Sequence, residues 1–172
     1  MILEVKFQKN NRINNIYLNK IINLKIKEWK FNYKSQVNWL KENVLPNDLH
    51  VTLEYKKKLI GYTMLRERFL YKDNKSKNKI YLFDTHVISK AFRGKLIKGL
   101  SPSKVLMEKI LIFILKKKRV SFLLCNKDLI KYYKLFGWSI INKKKIKIKN
   151  EKNLTIMYYG KLNANKNYKI NI

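Results

Sequence analysis

The chain has 172 residues, of which 46% are hydrophobic and 13% aromatic, and this is typical of one domain with a single core. Its longest apolar run, ILIFIL at 110–115, is too short for a membrane-spanning helix, and the stretch MILEVKFQKN lacks the apolar core of a signal peptide. We therefore expect one soluble, cytoplasmic domain over residues 1–172 that has no membrane partner.

The charge of the chain is strongly positive. Forty Lys and Arg residues stand against eleven Asp and Glu, which gives a formal net charge of +29 and favours a polyanionic partner. Most of the excess is Lys, however, accompanied by abundant Asn and Ile as expected from AT-rich genes, and it is scattered along the whole chain. We therefore keep nucleic-acid binding as the alternative to an enzymatic function.

Cysteine and histidine are too few for a disulfide or a predicted metal site. The single Cys125 excludes an internal disulfide and a cysteine-based zinc cluster, and its apolar surroundings, VSFLLC, predict a buried, inert thiol. The chain contains only two histidines, His50 and His86. We predict no metal cofactor.

The first half of the chain is predicted to form a strand, two helices and an antiparallel hairpin. Apolar spacing and alternation place a strand over 2–7, helices around 13–30 and 36–45, and two paired strands over 49–57 and 59–71. The polar stretch KDNKSKNK at 72–79 is typical of a solvated loop.

The second half predicts a βαβ crossover followed by a short helix and two more strands. The elements are a strand over 80–89, a helix from 102 to about 118, a buried strand over 120–125, and a hairpin of strands 138–149 and 154–162 that is joined by NEKN. Ser101 and Pro102 have the order of an N-cap and a first helical residue. The fold class is therefore α+β with a mixed sheet.

The segment NKDLIKYYKLFGW, residues 126–138, has two interpretations. Its apolar residues recur at i, i+3, i+4 and i+7, as on the buried face of a helix, and they are Leu129, Tyr132, Tyr133 and Phe136. Gly137 then supplies the left-handed residue that ends a helix. Packing explains this pattern, but a chemical role for one tyrosine explains it as well.

The segment between the strand at 80–89 and the helix at 102 is a candidate anion site. A loop that leads into a helix N-terminus directs backbone N–H groups and the positive end of the helix dipole towards a ligand. Arg93, Lys95 and Lys98 add positive charge there. Taken alone, these features equally fit an ordinary surface loop.

Taken in chain order, these segments resemble the GNAT superfamily of acetyl-CoA-dependent N-acyltransferases. The resemblance rests on VISKAFRG at 87–94, on Asn126 after the strand, and on YKLFGW at 133–138. Upstream, LEYKKKLIGYTMLRE at 53–67 matches a family hairpin that carries two hydrophobic residues and a glycine. The match spans about residues 49 to 140.

The resemblance implies a mixed sheet that is flanked by helices and splayed open at its middle strands, with acetyl-CoA as co-substrate. The strand containing Val87 and Ile88 would contact the pantetheine arm through its backbone, and Asn126 would lie on the cofactor side. The pyrophosphate would bind the loop that Arg93 and Gly94 open, to which Lys95 adds charge.

The loop departs from the family pattern Arg-Gly-x-Gly-x-Gly/Ala. The chain has RGKLIKGLSPS, in which Leu96 and Lys98 replace the usual small residues. We expect Gly99, Ser101 and Ser103 to complete a longer cofactor loop.

Three residues are the catalytic candidates. The resemblance places Tyr133 where a tyrosine is often proposed to protonate the CoA thiolate, a role that suits a phenol because it holds its proton at neutral pH. Asp84 and His86 lie two residues apart on one strand, so we expect both to face the same way and either to accept the amine proton. Packing of His86 and an ion pair of Asp84 with a lysine explain the same residues equally well, and Glu54 is a weaker base candidate.

The acceptor is expected to be a primary amine of a small molecule that binds together with acetyl-CoA. The layout is loosely similar to that of aminoglycoside 2′-N-acetyltransferases, but polycationic aminoglycosides prefer carboxylates, and this chain has few. A neutral or acidic amino sugar suits the charge better.

The alternatives to this function are a protein N-acetyltransferase, or a nucleic-acid-binding module that uses KKKIKIK at 143–149. The sequence leaves the oligomeric state open, a homodimer included.

Overall fold

Four α-helices and nine β-strands form the protein in a computed structural model, which describes residues 3–72, 76–148, 153–163 and 166–171. The helices are α1 Asn15–Glu28, α2 Tyr33–Asn43, α3 Pro102–Lys116 and α4 Ile130–Lys134. The strands are β1 Glu4–Lys9, β2 Leu49–Tyr55, β3 Lys58–Lys72, β4 Ser76–Ile88, β5 Ser121–Cys125, β6 Ser139–Ile140, β7 Ile146–Ile148, β8 Thr155–Tyr159 and β9 Tyr168–Asn171. Among the described helices, none is both long and apolar enough to cross a bilayer.

The strands form one mixed sheet in the order β1-β2-β3-β4-β5-β8-β6, and β9 pairs with both β3 and β7. The β4–β5 and β7–β9 ladders are parallel, whereas the β1–β2, β2–β3 and β5–β8 ladders are antiparallel. Helix α3 connects the parallel neighbours β4 and β5, so the predicted βαβ crossover and the mixed α+β class are confirmed.

The chain divides into two compact units. The first comprises Met1–Arg66 and Thr85–Ile110, and the second comprises Glu67–Asp84 and Leu111–Ile172. In the first unit, the apolar faces of α1 and α2 pack on buried strand residues, in a core of Ile21, Ile22, Leu24, Leu40, Val44, Tyr62, Met64 and Val87. The side chains of Asn14 and Asn32 cap these two helices by accepting N–H groups of their first turns.

The second unit has its own core of strand residues. Buried side chains of β4, β5, β7, β8 and β9 form it together with Leu70 and Ile141, and its members include Ile80, Leu82, Phe122, Ile146, Ile148, Ile156, Tyr168 and Ile170. Alternate residues of β7 and β9 are exposed, as expected for strands that bury one face.

Two predictions for the second half of the sheet were wrong. Most of the polar stretch 72–79 is strand rather than loop, since β3 extends to Lys72 and β4 begins at Ser76. Its lysines are accommodated by partners that are distant in sequence: Lys79 forms an ion pair with Glu67 at 2.8 Å, and the ammonium of Lys77 lies 3.7 Å from the centroid of the Phe69 ring.

The predicted carboxyl-terminal hairpin is also only partly present. Strand β6 pairs with β8 as expected, but β7 pairs in parallel with β9, a strand that the sequence analysis missed. The predicted NEKN turn lies mainly outside the described residues. Pairing between such distant segments leaves no local signal in the sequence.

Gly61 of β3 lies so close to its neighbours that a side chain does not fit. A Cβ atom at this position would lie 2.7 Å from Cδ1 of Ile88 and 3.2 Å from Cβ of Leu53. We expect Gly61→Ala to lower the free energy of unfolding by roughly 1–3 kcal/mol, as overpacked cores do. Urea denaturation checks this value, and shortening Ile88 to Val in the same protein should recover part of the loss. An unchanged free energy of unfolding would contradict the close approach.

Candidate active site

Strand β4 carries a backbone irregularity at Thr85, between two of the predicted catalytic residues. Thr85 has φ of 58°, a left-handed value that is a clear outlier for a β-branched residue. A strand side chain normally alternates between faces, and a left-handed residue interrupts that alternation. The expectation that Asp84 and His86 face the same way rested on regular alternation, and Thr85 interrupts that alternation between them.

His86 is held by hydrogen bonds at both ring nitrogens. Its Nδ1 lies 2.8 Å from the hydroxyl of Thr63 on β3, and its Nε2 lies 3.2 Å from the hydroxyl of Ser103 in the first turn of α3. Burial lowers the pKa of His86 to about 4, so the imidazole is neutral near pH 7 and a weak proton acceptor. This arrangement favours a positioning role for His86, which fixes the start of α3 against β3 and β4.

The start of α3 is capped as the sequence predicted. Ser101 is the last residue before the helix, and its carbonyl accepts the N–H of Val105 at 3.0 Å. Pro102 is the first helical residue. Ser103 was predicted to contact the cofactor, but its hydroxyl is engaged by His86. The remaining donors at this helix end are backbone N–H groups, which are suited to an anion.

Arg93 is bound to a carboxylate within its own unit. Its guanidinium forms an ion pair with Glu28, the last residue of α1, and donates to the carbonyl of Ile88 at 3.1 Å. The same carboxylate of Glu28 accepts the N–H of Lys90 at 3.1 Å. Arg93 therefore anchors the loop rather than adding free positive charge to it. Glu28 was not predicted from the sequence, because a partner 65 positions away leaves no local pattern.

The loop from Ser89 to Ser101 presents backbone donors that no described group accepts. A tight turn at Lys98 and Gly99 is closed by reciprocal hydrogen bonds between Ile97 and Leu100 of 2.9 and 3.1 Å. Across the described part of the chain, the N–H groups of Gly94, Leu96 and Gly99 find no acceptor. Such donors, next to a helix N-terminus, can bind a phosphate.

The two loop glycines are required by backbone conformation rather than by packing. Gly94 has φ of 72° and Gly99 has φ of 76°, and a Cβ atom at either position would meet nothing within 4 Å. The side chains of Lys95 and Lys98 are exposed beside them. The loop thus differs in length from the family pattern but retains unengaged donors, left-handed glycines and positive charge.

Val87 and Ile88, at the end of β4, are buried, with 3% and 5% of each residue exposed. The N–H of the next residue, Ser89, donates to the carbonyl of Ile60 at 2.8 Å, which continues the pairing with β3. The predicted contact of this strand with pantetheine stays a prediction.

In the second unit, the ladder between β4 and β5 is short. It consists of the pairs Tyr81–Ser121 and Leu82–Phe122, although β5 continues to Cys125. Asn126 follows directly with an exposed side chain, and its amide binds to no group in the described ranges.

Cys125 is buried against Met157, with its Sγ 3.8 Å from the sulfur of that residue, and burial raises the pKa of the thiol. A reactive thiolate is not favoured there.

Tyr133 on α4 lies in an aromatic cluster and is 93% buried, with 7% of the residue exposed. Its ring packs edge-to-face against Phe83, Trp138 and Tyr132 at centroid distances of 6.0, 6.1 and 5.2 Å. No described group accepts a hydrogen bond from its hydroxyl. Burial raises the pKa of Tyr133 far above its usual value, with smaller contributions from neighbours that include Asp84. The phenol therefore keeps its proton at any physiological pH.

The helix that carries Tyr133 is only partly the amphipathic helix predicted. Leu129 is 41% exposed because it lies in a 3-10 turn before α4, whereas Tyr132 is half-buried. Gly137 ends the helix with φ of 81°, as predicted. The indole N–H of Trp138 is buried in the same aromatic cluster and has no acceptor among the described residues.

Glu54, the weaker of the base candidates, is held by two hydrogen-bond donors. Glu54 accepts hydrogen bonds from Lys6 at 2.6 Å and from the Tyr17 hydroxyl. Burial opposes ionisation of Glu54, but these two donors outweigh it and lower the pKa of the carboxyl, which makes it a weaker base. Within the described ranges, no three His, Cys, Asp or Glu side chains are grouped closely enough to hold a metal ion.

Comparison with known proteins identifies the fold. The chain aligns with an acyl-CoA N-acyltransferase from Pseudomonas aeruginosa over 92% of its length and 100% of that chain, with 15% identity and a TM-score of 0.67. It aligns with ElaA from Escherichia coli over 91% and 99%, with 14% identity and a TM-score of 0.65. It also aligns with Arabidopsis thaliana Naa50, solved with the bisubstrate analogue CoA-Ac-MVNAL, over 91% and 99%, with 16% identity and a TM-score of 0.56.

No protein-family model matches the sequence, and no curated protein matches it either. At these identities the similarity establishes the fold alone, and that fold is the one found in GNAT-type acyl-CoA N-acyltransferases.

Proposed function

We propose that the chain is an acyl-CoA-dependent N-acyltransferase that transfers an acetyl group from acetyl-CoA to a primary amine. The observation that carries this proposal is the loop between β4 and α3, whose backbone donors at Gly94, Leu96 and Gly99 are unengaged in a chain with the GNAT fold. An ordinary surface loop also exposes N–H groups to water, and what favours a cofactor loop is the position of these donors before a helix N-terminus in a chain with the GNAT fold.

The residues present fit the parts of acetyl-CoA. We assign the pyrophosphate to the N–H groups of the loop and to the exposed lysines Lys95 and Lys98. The backbone of Val87 and Ile88 would contact the pantetheine arm, and Asn126 offers an unengaged amide at the end of β5. When bound, acetyl-CoA supplies an activated thioester. No metal is needed for this chemistry.

In the proposed reaction, the lone pair of the unprotonated amine attacks the thioester carbonyl carbon, and the C–S bond breaks as the amide C–N bond forms. The amine proton passes to the Asp84 carboxylate, directly or through water. The hydroxyl of Tyr133 donates its proton to the departing sulfur. Both residues then return to their starting protonation states by exchange with solvent. We assign His86 no proton transfer, because hydrogen bonds engage both of its nitrogens.

We propose a small-molecule amine as the acceptor and place the activity in the cytoplasm. The few carboxylates of the chain disfavour a polycationic amine and suit a neutral or acidic amino sugar. A peptide acceptor is the second candidate, and the similarity to Naa50, solved with a CoA–peptide analogue, supports it. A panel of amino sugars, together with a peptide beginning MVNAL, would discriminate between these acceptors once cofactor binding is established.

Binding of acetyl-CoA is the first test. At a concentration of about 100 Kd, a ligand raises the free energy of unfolding by about 2.7 kcal/mol, which is a Tm rise of roughly 5–10 °C for a chain of this size. Differential scanning fluorimetry measures this rise. Because a chain of net charge +29 is stabilised by any polyanion, ATP and inorganic tripolyphosphate are the controls.

A Tm rise with acetyl-CoA that exceeds the rise with both controls is the expected result. The variant Gly94→Ala tests the loop, because alanine disfavours the φ of 72° while its Cβ meets no neighbour. We expect this variant to bind acetyl-CoA several-fold more weakly but to respond to tripolyphosphate as the parent does. Equal responses to acetyl-CoA and tripolyphosphate would contradict the cofactor site.

A further inference from the structure

The second unit contains a basic groove that plays no part in the proposed acetyl transfer. The groove has a volume of about 480 Å³. Its walls come from β3, from β9 and from the segment 143–148, and they carry four lysines and two tyrosines, namely Lys144, Lys145, Lys147, Lys169, Tyr71 and Tyr168. We call it the lysine–tyrosine groove.

Strand register gathers its charges on one face of the sheet. Lys147 of β7 is directly opposite Lys169 of β9, and Lys169 is directly opposite Tyr71 of β3, so the three residues form one row across three strands. The residues that flank Lys169 along β9, Tyr168 and Ile170, are buried in the core, so the lysines point away from it. Two lysines placed directly opposite each other repel, and an anionic ligand would relieve that repulsion.

Aromatic rings alternate with the lysines on this face. Phe69 lies two residues before Tyr71 on β3 and therefore on the same face, and both side chains are half-buried. The ammonium of Lys77 lies 3.7 Å from the centroid of the Phe69 ring. Surfaces that bind single strands have two components: basic side chains that contact phosphates, and aromatic rings on which bases stack.

The described lining of the groove is basic. None of the described residues that line it is Asp or Glu. Glu67, further along the same strand as Tyr71, is already engaged by Lys79 at 2.8 Å and by Arg119 at 2.5 Å. The charged side chains among the described lining residues are therefore all lysines, which favours an anionic ligand.

We propose that the lysine–tyrosine groove binds single-stranded nucleic acid, with phosphates on Lys147 and Lys169 and a base against the ring of Tyr71. A single strand fits better than a duplex, because only unpaired bases can stack on a side-chain ring. This function is independent of acetyl transfer. It also gives a role to the lysine-rich segment 143–149, which the sequence singled out as a candidate for nucleic-acid binding.

The test is fluorescence anisotropy of the full chain with a fluorescein-labelled 15-nucleotide oligo(U), across a series of salt concentrations. We expect the double variant Lys147→Gln/Lys169→Gln to bind at least tenfold more weakly. It should also lower the slope of log affinity against log salt by about 1.4, which corresponds to two lost phosphate contacts on a single strand.

The matched control removes the same charge from another surface. Lys56 and Lys57 line a separate groove, in the first unit, and Lys56→Gln/Lys57→Gln should change the affinity less than twofold. An equal loss in both double variants would show that the oligonucleotide responds to net charge alone, and would overturn the proposal.

Tyr71 separates base stacking from charge. We expect Tyr71→Leu to weaken oligo(U) binding at least fivefold, as the loss of one stacked base does, and Tyr71→Phe to retain it. Melting curves of both variants report whether they fold. A duplex or heparin bound as tightly as oligo(U), or a folded Tyr71→Leu variant with unchanged affinity, would also overturn the proposal.

Discussion

Replacing Tyr133 with phenylalanine is expected to lower kcat for acetyl transfer by about 10²–10⁴-fold, the range of one general acid. The hydroxyl contacts no described acceptor, and its raised pKa keeps it protonated, so its removal takes away a donor to the departing sulfur. We expect the affinity for acetyl-CoA to change less than twofold. The Tm should also stay close to that of the parent, since the aromatic contacts of the ring remain.

The neighbouring tyrosine provides the matched control for this experiment. Tyr132 is half-buried and packs edge-to-face on both Tyr133 and Phe136, so Tyr132→Phe removes the same atom one position away. Steady-state kinetics with a saturating amine should give nearly parental turnover for this control. If Tyr133→Phe retained full turnover as well, the general-acid assignment would be wrong.

The second large effect is a loss of stability at mildly acidic pH, because both histidines are held as neutral rings, His50 fully buried and His86 partly buried. His50 is fully buried, with Nδ1 2.9 Å from the hydroxyl of Tyr62 and Nε2 3.0 Å from Oδ1 of Asn10. The pKa of His50 is lowered to about 4 by burial and by the charge of Lys25, and burial lowers that of His86 to about 4.

These pKa values fix the direction of the pH dependence. Between pH 6.5 and 4 the unfolded chain binds protons that the folded chain excludes, so the free energy of unfolding is highest above 6.5 and falls as pH drops. Each histidine accounts for about 3 kcal/mol over this window, and where both titrate the slope is about 2.7 kcal/mol per pH unit. Urea denaturation between pH 7 and pH 4 measures it.

Replacing one histidine measures how much of the pH dependence of the free energy of unfolding comes from each ring. In His50→Gln the remaining slope between pH 6 and pH 5 should be about half that of the parent, whatever the variant does to stability at pH 7. The lowered pKa values of Glu54 and Glu67 act in a more acidic window, because their stabilisation is lost only as pH falls below about 4.5. A free energy of unfolding that stays flat from pH 7 to pH 5 would show that the histidines are not buried as neutral rings.

Local signals predicted the parts of the fold that depend on neighbouring residues. The N-cap at Ser101, the proline at Pro102 and the helix end at Gly137 each follow from the conformational preference of one residue, and all three are confirmed. Periodicity likewise located the βαβ crossover. The order of these motifs along the chain was sufficient to predict the fold class.

Features that depend on distant partners were not predictable in the same way. Lys79, in the strand that begins at Ser76, pairs with Glu67, which lies twelve positions away. Strand β7 pairs in parallel with β9, although β8 comes between them in the sequence. The left-handed backbone of Thr85 contradicts the preference of a β-branched residue. At the candidate site, sequence spacing identified His86 but not the two hydroxyls that engage it.

Under the proposed function, the ion pair between Arg93 and Glu28 affects how fast the anionic co-substrate arrives. With that guanidinium neutralised, the long-range field at the loop comes from exposed lysines such as Lys95 and Lys98, whose charges are screened beyond about 8 Å at physiological ionic strength. We therefore expect lysine charge at this loop to accelerate diffusional encounter with the proposed co-substrate, and the anchored backbone to set its residence time. Added salt should accordingly slow capture of the co-substrate far more than it hastens its escape.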